Sequence, residues 1–455
     1  MSWLWRYRLR LFLKGTLWIS PVVSMLLAIV VAPLLREIDE RTRWPLLGYG
    51  IEGARGIAGA IAASTFSLTV LIFSIILVAV QLSSSQLSPR AIASSVLKDR
   101  QAQFSLGLFV FTYILSVMVL GRIETRVPEL PLLVAMVFSV LSIAAFLYLI
   151  DYVAKALRPV SVCGRIARAG FEVIDAIYPN LVAESGAPSG LDADIQNRKP
   201  ERTVRLDADS GVLLAFDVDG LTAAARRVEG LIVLVPQVGD FVAIGEPVFH
   251  LFGGATSIKD RHLLRSVAFG PERTMAQDPA FALRILVDIA NKALSPGIND
   301  PTTAVQALDY THWLLRQVGA RRLANGRVRD EAGQLRLFFR TPDWDDFVAM
   351  AVSETRLYGA GSLQVARRLR SMLQDLIETL PEHRHPPLLE QLDLLRRSVE
   401  RTFADPEDWA CAGEGDRQGQ GSAPQMDAVK VPASSGSDAQ PARRSVGLHR
   451  SLPGS

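Results

Sequence analysis

Charged and amide side chains with the spacing of one helix face interrupt the apolar segment PAFALRILVDIANKAL, residues 279–294. Arg284, Asp288 and Asn291 are four and three residues apart, so an α-helix would carry them on one face. A helix that is apolar elsewhere is buried, and buried charges need partners or bind ions. Polar residues with the same potential flank this segment. The candidates are Arg273, Asp278, Arg284, Asp288, Asn291, Asn299 and Asp300.

Two interpretations of this cluster stay open. It could be an internal network of arginines and aspartates that stabilises a helical hairpin. It could instead bind a ligand or anion between Arg273, Arg284 and the helix N-termini, where free N–H groups favour negative charge.

A catalytic site has less support. The sequence contains no P-loop, no GxSxG, no HExxH and no paired-cysteine cluster. Cys163 and Cys411 stand far apart, and His383 and His385 lie in a proline-rich loop without ligands at metal-binding spacing. We therefore expect no enzyme activity, no cofactor and no metal site.

Helix boundaries around the cluster are encoded locally. Asp278-Pro279 and Asp300-Pro301 each combine an N-capping carboxylate with a proline suited to the first helical position. Ser295-Pro296-Gly297 supplies the stop between the two helices. The pattern predicts two helices joined by a short polar corner.

The N-terminal third of the chain is of a different kind. The chain has 455 residues, 49% of them hydrophobic, and a mean hydropathy of +0.22. A membrane-spanning helix needs about 20 mostly apolar residues, and stretches at about 16–35, 57–82, 104–121 and 130–150 qualify. The sequence therefore predicts an α-helical polytopic membrane protein with four transmembrane helices in residues 1–155. The first stretch is interpreted as an uncleaved anchor, not a signal peptide.

Charge near the span ends indicates orientation and partners. Lys and Arg are more frequent before the first span, in the 83–103 loop and after the fourth span than in the two other loops. The positive-inside rule then favours a bacterial inner (plasma) membrane protein with both termini in the cytoplasm. A net charge of +3 gives no reason to expect nucleic acid as a partner.

The second span carries a polar stripe. Ser67, Ser74, Gln81 and Ser88 recur every seven residues, a spacing that keeps them on one narrow face of a helix. Such a stripe is either a helix–helix interface or the lining of a pore formed by several copies. The four predicted spans contain no Asp, Glu, Lys, Arg or His, which disfavours a proton relay or a transporter of charged substrates.

The rest of the chain predicts a cytosolic α+β region. It divides into a connecting helix and linker at 156–202, a small β-domain at 203–255, a mainly helical domain at 256–405 and a disordered tail at 406–455. Within the helical domain we expect a β-hairpin at 322–341 and helices at 343–380 and 388–403.

The segment VGDFVAIGEPV resembles the barrel-sandwich hairpin of biotinyl and lipoyl carrier domains. The carrier lysine is absent from DVDGLTAAARRVEG, so the resemblance implies the fold and argues against carrier function.

Two motifs resemble a known family. GPERTMAQDPAFALRILVDIANKALSPGINDPTTAVQALDY and LIFSIILVAVQLSSSQLSPR are similar to the bacterial membrane family called domain of unknown function 2254. The resemblance extends to about residue 400. It implies a four-span inner-membrane protein with a cytosolic domain, and it implies no activity.

Two functions remain in competition. The leading hypothesis is a homo-oligomeric, channel-like or gating protein with a cytosolic collar or sensor. The alternative is a membrane-anchored cytosolic module that binds a ligand or acts as a scaffold without transport. The expected partners are the lipid bilayer, further copies of the chain, and a small ion or anionic ligand.

Overall fold

The computed structural model describes residues 3–15, 18–42, 46–87, 100–124, 126–181, 198–323 and 325–413. Within these residues, four helices are long and apolar enough to cross a membrane, as the sequence predicted. A separate helix precedes the first of them. The helices of this part are α1 Trp3–Gly15, α2 Ile19–Thr42, α3 Ile51–Gln86, α4 Arg100–Leu120 and α5 Glu129–Ala156.

Helix α4 lies at the centre of the four, in contact with α2, α3 and α5. Gly107 allows α2 to come close, because a Cβ atom at Gly107 would lie 2.7 Å from Ser24 Oγ. On the other side, Thr112 Oγ1 and Ser142 Oγ of α5 are 3.1 Å apart. Small and hydroxyl residues are the usual means of close helix packing in lipid, where burial of apolar surface gives no driving force.

A bundle of helices follows the fourth span, and α6 begins at Pro159, three residues after α5 ends. The helices of the bundle are α6 Pro159–Ile177, α9 Pro279–Ala293, α10 Pro301–Gly319, α11 Trp344–Gly359, α12 Leu363–Thr379, α13 His385–Thr402 and α14 Pro406–Gly413. They share one buried apolar core, which also includes Leu87 just after α3.

Two predicted boundaries in the bundle are wrong. The helix expected over 343–380 is two helices, α11 and α12, with a turn at 360–362. Gly359 lies at this turn, where a Cβ atom would be 2.3 Å from Val365 Cγ1. The tail expected to be disordered from 406 begins with helix α14, and its residues 414–455 lie outside the described part of the chain.

The sheet region is larger than the predicted 203–255. Its strands are β1 Arg202–Arg205, β2 Gly211–Phe216, β3 Gly230–Leu234, β4 Phe241–Val242, β5 Pro247–Gly253, β6 Val267–Gly270, β7 Arg327–Arg329 and β8 Leu335–Phe339. They form two sheets with the strand orders β1-β5-β3-β8-β7 and β4-β2-β6. Helices α7 Val218–Arg227 and α8 Asp260–Leu264 pack with these sheets.

The barrel-sandwich resemblance is not confirmed. Helix α7 occupies the interval in which carrier domains have their lysine turn. In addition, β3 pairs in parallel with β8, with Ile232 opposite Leu337. The predicted hairpin of β7 and β8 exists and is closed by Asp330, whose Oδ1 accepts hydrogen bonds from the backbone N–H groups of Ala332 and Gln334. The helical hairpin α9–α10 is thus inserted between two parts of one sheet region.

Close contacts at two glycines fix the direction of the bundle helices. A Cβ atom at Gly164 would lie 2.9 Å from Tyr310 Oη, and one at Gly170 would lie 3.5 Å from Leu314 Cδ1. Helix α10 therefore runs in the same direction as α6, and α9 runs in the opposite direction. The polar corner at 294–300 consequently lies at the end of the bundle nearest to the fourth span.

Candidate functional site

The polar stripe of the second span lies on the outer surface of α3. Ser67, Ser74 and Gln81 are exposed, so within one chain they do not pack against the other spans. Ser67 Oγ donates a hydrogen bond to Ala63 O at 2.9 Å, and Ser74 Oγ donates one to Val70 O at 3.1 Å. The fourth predicted member, Ser88, lies outside the described residues.

The stripe is half of a longer surface, which we call the α3 seam. Its members are exposed and alternate in spacing between three and four residues, the a and d positions of a heptad repeat. They are Gly53, Gly56, Ala60, Ala63, Ser67, Val70, Ser74, Leu77 and Gln81. A spacing of seven residues selects only every second member of this seam, and Gly53 and Gly56 precede the predicted stripe at helical spacing. The intervening positions, Ala63 among them, were the signal that could have identified the whole seam.

The predicted caps of the hairpin are present. The Asp278 carboxylate accepts a hydrogen bond from Phe281 N, and that of Asp300 accepts one from Thr303 N, each at 3.1 Å. Asn299 has a φ of +48°, a left-handed conformation that asparagine tolerates better than most residues. Capping and turn formation thus account for the residues of the corner.

Arg273 and Asp278 form a buried ion pair beside the sheet region. Asp278 is 3% exposed, and both of its oxygens contact the Arg273 guanidinium, with Nη2 to Oδ1 at 3.0 Å. Gly239 makes room for the pair: its φ is +99°, and a Cβ atom there would lie 2.5 Å from Arg273 Nε. Glycine is the residue that fits both requirements.

Gln277 joins the sheet region to the bundle. Its side-chain amide accepts a hydrogen bond from Phe216 N at 3.0 Å and donates one to Phe216 O at 3.2 Å. Together with the Arg273–Asp278 pair, this places residues 273–278 as the joint between the two parts. Gln277 could not be identified from the sequence, because its partner is the backbone of a distant strand.

The polar face of α9 is completed by Glu354 of α11. The Arg284 guanidinium contacts both oxygens of Glu354, with Nη2 to Oε2 at 3.2 Å, and Arg284 Nε lies 3.2 Å from Asp288 Oδ1. Asn291 Nδ2 donates to Glu354 Oε2 at 3.0 Å. Hydrogen bonding to Glu354 is the main cause that raises the pKa of Arg284.

This network joins α9 to α11, and not the two helices of the hairpin as the sequence suggested. Glu354 was missed because it lies more than 60 residues from its partners. The seven predicted residues do not form one site. Asp278 caps the first turn of α9, whereas Asp300 lies beyond the last turn of this helix, which is about 22 Å long at 1.5 Å per residue. Arg273 and Arg284 each pair with their own carboxylates, which favours an internal network over an anion site between them.

A second polar network lies between α10 and α12. Arg368 Nε lies 2.6 Å from Asp309 Oδ1, and Arg368 Nη2 lies 3.0 Å from His312 Nδ1. His312 Nε2 is 2.7 Å from Asp375 Oδ2. Burial, followed by the charge of Arg368, lowers the pKa of His312.

The described residues contain no group of three His, Cys, Asp or Glu side chains that could hold a metal ion. Of the two histidines considered in the sequence, His385 has its Nε2 2.8 Å from Leu380 O.

Comparisons with known proteins agree with a membrane protein. A family model described as "Predicted membrane protein (DUF2254)" matches residues 14–375. An uncharacterised protein of Mycobacterium bovis is 26% identical over 424 residues, 88% of this chain and 79% of the relative. An uncharacterised protein of Mycobacterium tuberculosis strain CDC 1551 is 27% identical over 426 residues, with the same shares covered. No solved structure matches the chain.

Proposed function

The chain belongs to the DUF2254 family of predicted membrane proteins, and we propose that it works as a homo-oligomer whose α3 helices surround a path for small ions. The observation that carries this proposal is the α3 seam, which is exposed in the single chain along nine positions. In lipid, small residues let helix backbones approach closely and gain van der Waals contact. Gly53 and Gly56 have nothing within 4 Å of a Cβ position, so a second helix has room there.

The polar members of the seam suit a path for water and small cations. Ser67 and Ser74 donate their hydroxyl protons to carbonyls of their own helix, so their oxygens face outward as acceptors. Gln81 adds an amide to the same surface. Rings of such oxygen atoms can replace part of the hydration shell of a cation.

The remaining chain would serve as a cytosolic collar or sensor. Helix α1 contacts strand β6, so the N-terminal helix and the sheet region lie on the same side of the spans. The distribution of Lys and Arg favours the cytoplasm of a bacterium for that side, and hence its plasma membrane. We propose no enzymatic activity for this collar.

Release of a cation trapped in proteoliposomes tests the path. Purified protein in liposomes should release a trapped cation, and Ser74→Leu or Gln81→Leu should reduce the rate at least about tenfold, the effect of roughly 1.4 kcal/mol on a barrier. Phe73→Leu is the matched control, because Phe73 is exposed on the same helix outside the seam. The path is refuted if liposomes with the wild-type protein retain the cation as long as protein-free liposomes do.

The alternative is a membrane-anchored scaffold without transport. It is favoured by the separate apolar cores of the bundle and the sheet region and by the joint at Arg273, Gln277 and Asp278. Oligomers held together by the α3 seam, with no measurable flux, would support this alternative.

A further inference from the structure

A buried arginine at the interface of α11 and α13 has no carboxylate partner in the part of the chain that the structure describes. Arg356 is 8% exposed, and its Nη1 donates a hydrogen bond to Ser398 Oγ at 2.7 Å. Its Nε has no hydrogen-bond partner among the described residues. Burial lowers the pKa of Arg356, and the positive charges of Arg401 and Arg397 lower it further.

A second guanidinium approaches the same hydroxyl. Arg401 Nη2 lies 3.5 Å from Ser398 Oγ, so two cationic side chains converge on one serine. The nearby carboxylates of α13 are used by other arginines. Asp393 pairs with Arg397 at 3.0 Å and with Arg396, and Glu400 pairs with Arg396. The described residues therefore leave the positive charge of Arg356 and Arg401 uncompensated.

Such an arrangement is unfavourable unless an anion is bound, because a buried charge loses hydration and like charges repel. Arginine is suited to phosphate in particular, since its planar group can donate two parallel hydrogen bonds to phosphate oxygens. Ser398 Oγ itself donates its proton to Leu394 O at 2.8 Å, so the two arginines are the groups free to bind an anion. We propose that Arg356 and Arg401, whose guanidinium groups meet at Ser398, form a binding site for a phosphate group, carried either by a soluble phosphate or by the headgroup of an anionic phospholipid.

The location of the site is suited to a phosphate carried by a lipid headgroup. Helix α11 runs in the same direction as α9. Glu354 of α11 contacts Arg284 and Asn291 of α9, and further along both helices Gly359 lies against Leu294. Gly361 lies against Thr402, which brings the end of α13 to the same place. The site is thus at the end of the bundle nearest to the fourth span, and it is separate from the α3 seam.

Ligand-dependent melting of the full chain in detergent tests the proposal. Inorganic phosphate and water-soluble dihexanoyl phosphatidylglycerol are titrated separately, with dihexanoyl phosphatidylcholine as the control for acyl chains. We expect at least one of the two anions to raise the apparent melting temperature with a saturable dependence on concentration. Arg356→Gln and Arg401→Gln should each weaken the apparent Kd at least about tenfold, through lost charged hydrogen bonds.

Arg396→Gln is the matched control, because it removes one positive charge from α13 at a side chain that is 68% exposed and already paired with carboxylates. Stabilisation by phosphatidylglycerol alone identifies a lipid headgroup as the ligand, and stabilisation by phosphate alone identifies a soluble one. Should Arg356→Gln fail to fold, Arg401→Gln decides alone, because Arg401 is exposed and its replacement leaves the core intact; an unchanged apparent Kd in that variant would overturn the proposal. The proposal is overturned if neither anion stabilises the wild type, or if Arg396→Gln weakens binding as much as Arg401→Gln.

Discussion

At the scale of single residues, the surroundings of His312 determine its pKa. It lies among Arg368, Arg316, Asp309 and Asp375, and burial outweighs the attraction of Asp375, so its pKa is lowered. Its position in the sequence gave no hint of this role, because its partners Arg368 and Asp375 are more than 50 residues away. The folded protein therefore keeps this imidazole neutral at pH values where an unfolded chain would protonate it.

The sign of the resulting pH dependence follows directly. A histidine whose pKa is lowered on folding stabilises the fold above its ordinary value of about 6.5, and this contribution is lost as the pH falls below that value. The loss amounts to at most about 1.4 kcal/mol per pH unit. The apparent melting temperature in detergent should thus fall more steeply from pH 7 to pH 5 in the wild type than in His312→Gln. His250 and His383 also have lowered pKa values and contribute equally to both proteins. Identical slopes would show that folding does not lower the pKa of His312.

At the scale of helices and strands, the sequence was informative where the determinants are local. The caps at Asp278 and Asp300 could be predicted because each carboxylate binds a backbone group three residues away. The spans could be predicted from apolar length alone. In contrast, helix α7 was not predicted within the small β-domain, although Asp217 caps it through Gly220 N. The parallel pairing of β3 with β8 and the role of Glu354 depend on contacts between distant segments, which one sequence does not reveal.

The contact between α9 and α11 can be measured with a double-mutant cycle. Arg284→Ala, Glu354→Ala and the double variant should give a coupling energy of about 1 kcal/mol, a value reduced by partial solvent exposure of both side chains. Chemical denaturation followed by tryptophan fluorescence provides the free energies of unfolding. The pair Arg396 and Glu400, which is more exposed and lies within one helix, should give only about 0.3–0.5 kcal/mol. A coupling for Arg284 and Glu354 no larger than this would mean that the network does not hold the helices together.

At the scale of the whole molecule, α3 connects the proposed oligomer interface with the bundle. It contains 36 residues and is roughly 54 Å long at 1.5 Å per residue, well beyond a hydrocarbon layer of about 30 Å. Gly53, near its beginning, belongs to the α3 seam, and Leu87, just after its end, is buried in the bundle core. A change in the tilt of α3 within an oligomer would therefore move the bundle.

Disulfide crosslinking tests the proposed packing of α3 against α3. Cys411 is exposed and Cys163 is buried, so Ala63→Cys is introduced together with Cys411→Ser. Under mild oxidation in native membranes, most of this variant should migrate as a dimer, because the seam brings equivalent positions of two copies together. Leu141→Cys on the exposed side of α5 is the control and should stay monomeric. Equal crosslinking at both positions would indicate random collision in the membrane, not a seam-to-seam contact.

The pairing of β3 with β8 has a consequence for synthesis of the protein. Ile232 is opposite Leu337, so β3 leaves the ribosome about 105 residues before its neighbour, a delay on the order of ten seconds at bacterial elongation rates. During this time one edge of β3 has free backbone donors and acceptors that another nascent chain could pair with. By then all four spans have already been translated, so tethering to the bilayer would keep growing chains apart while the sheet is incomplete.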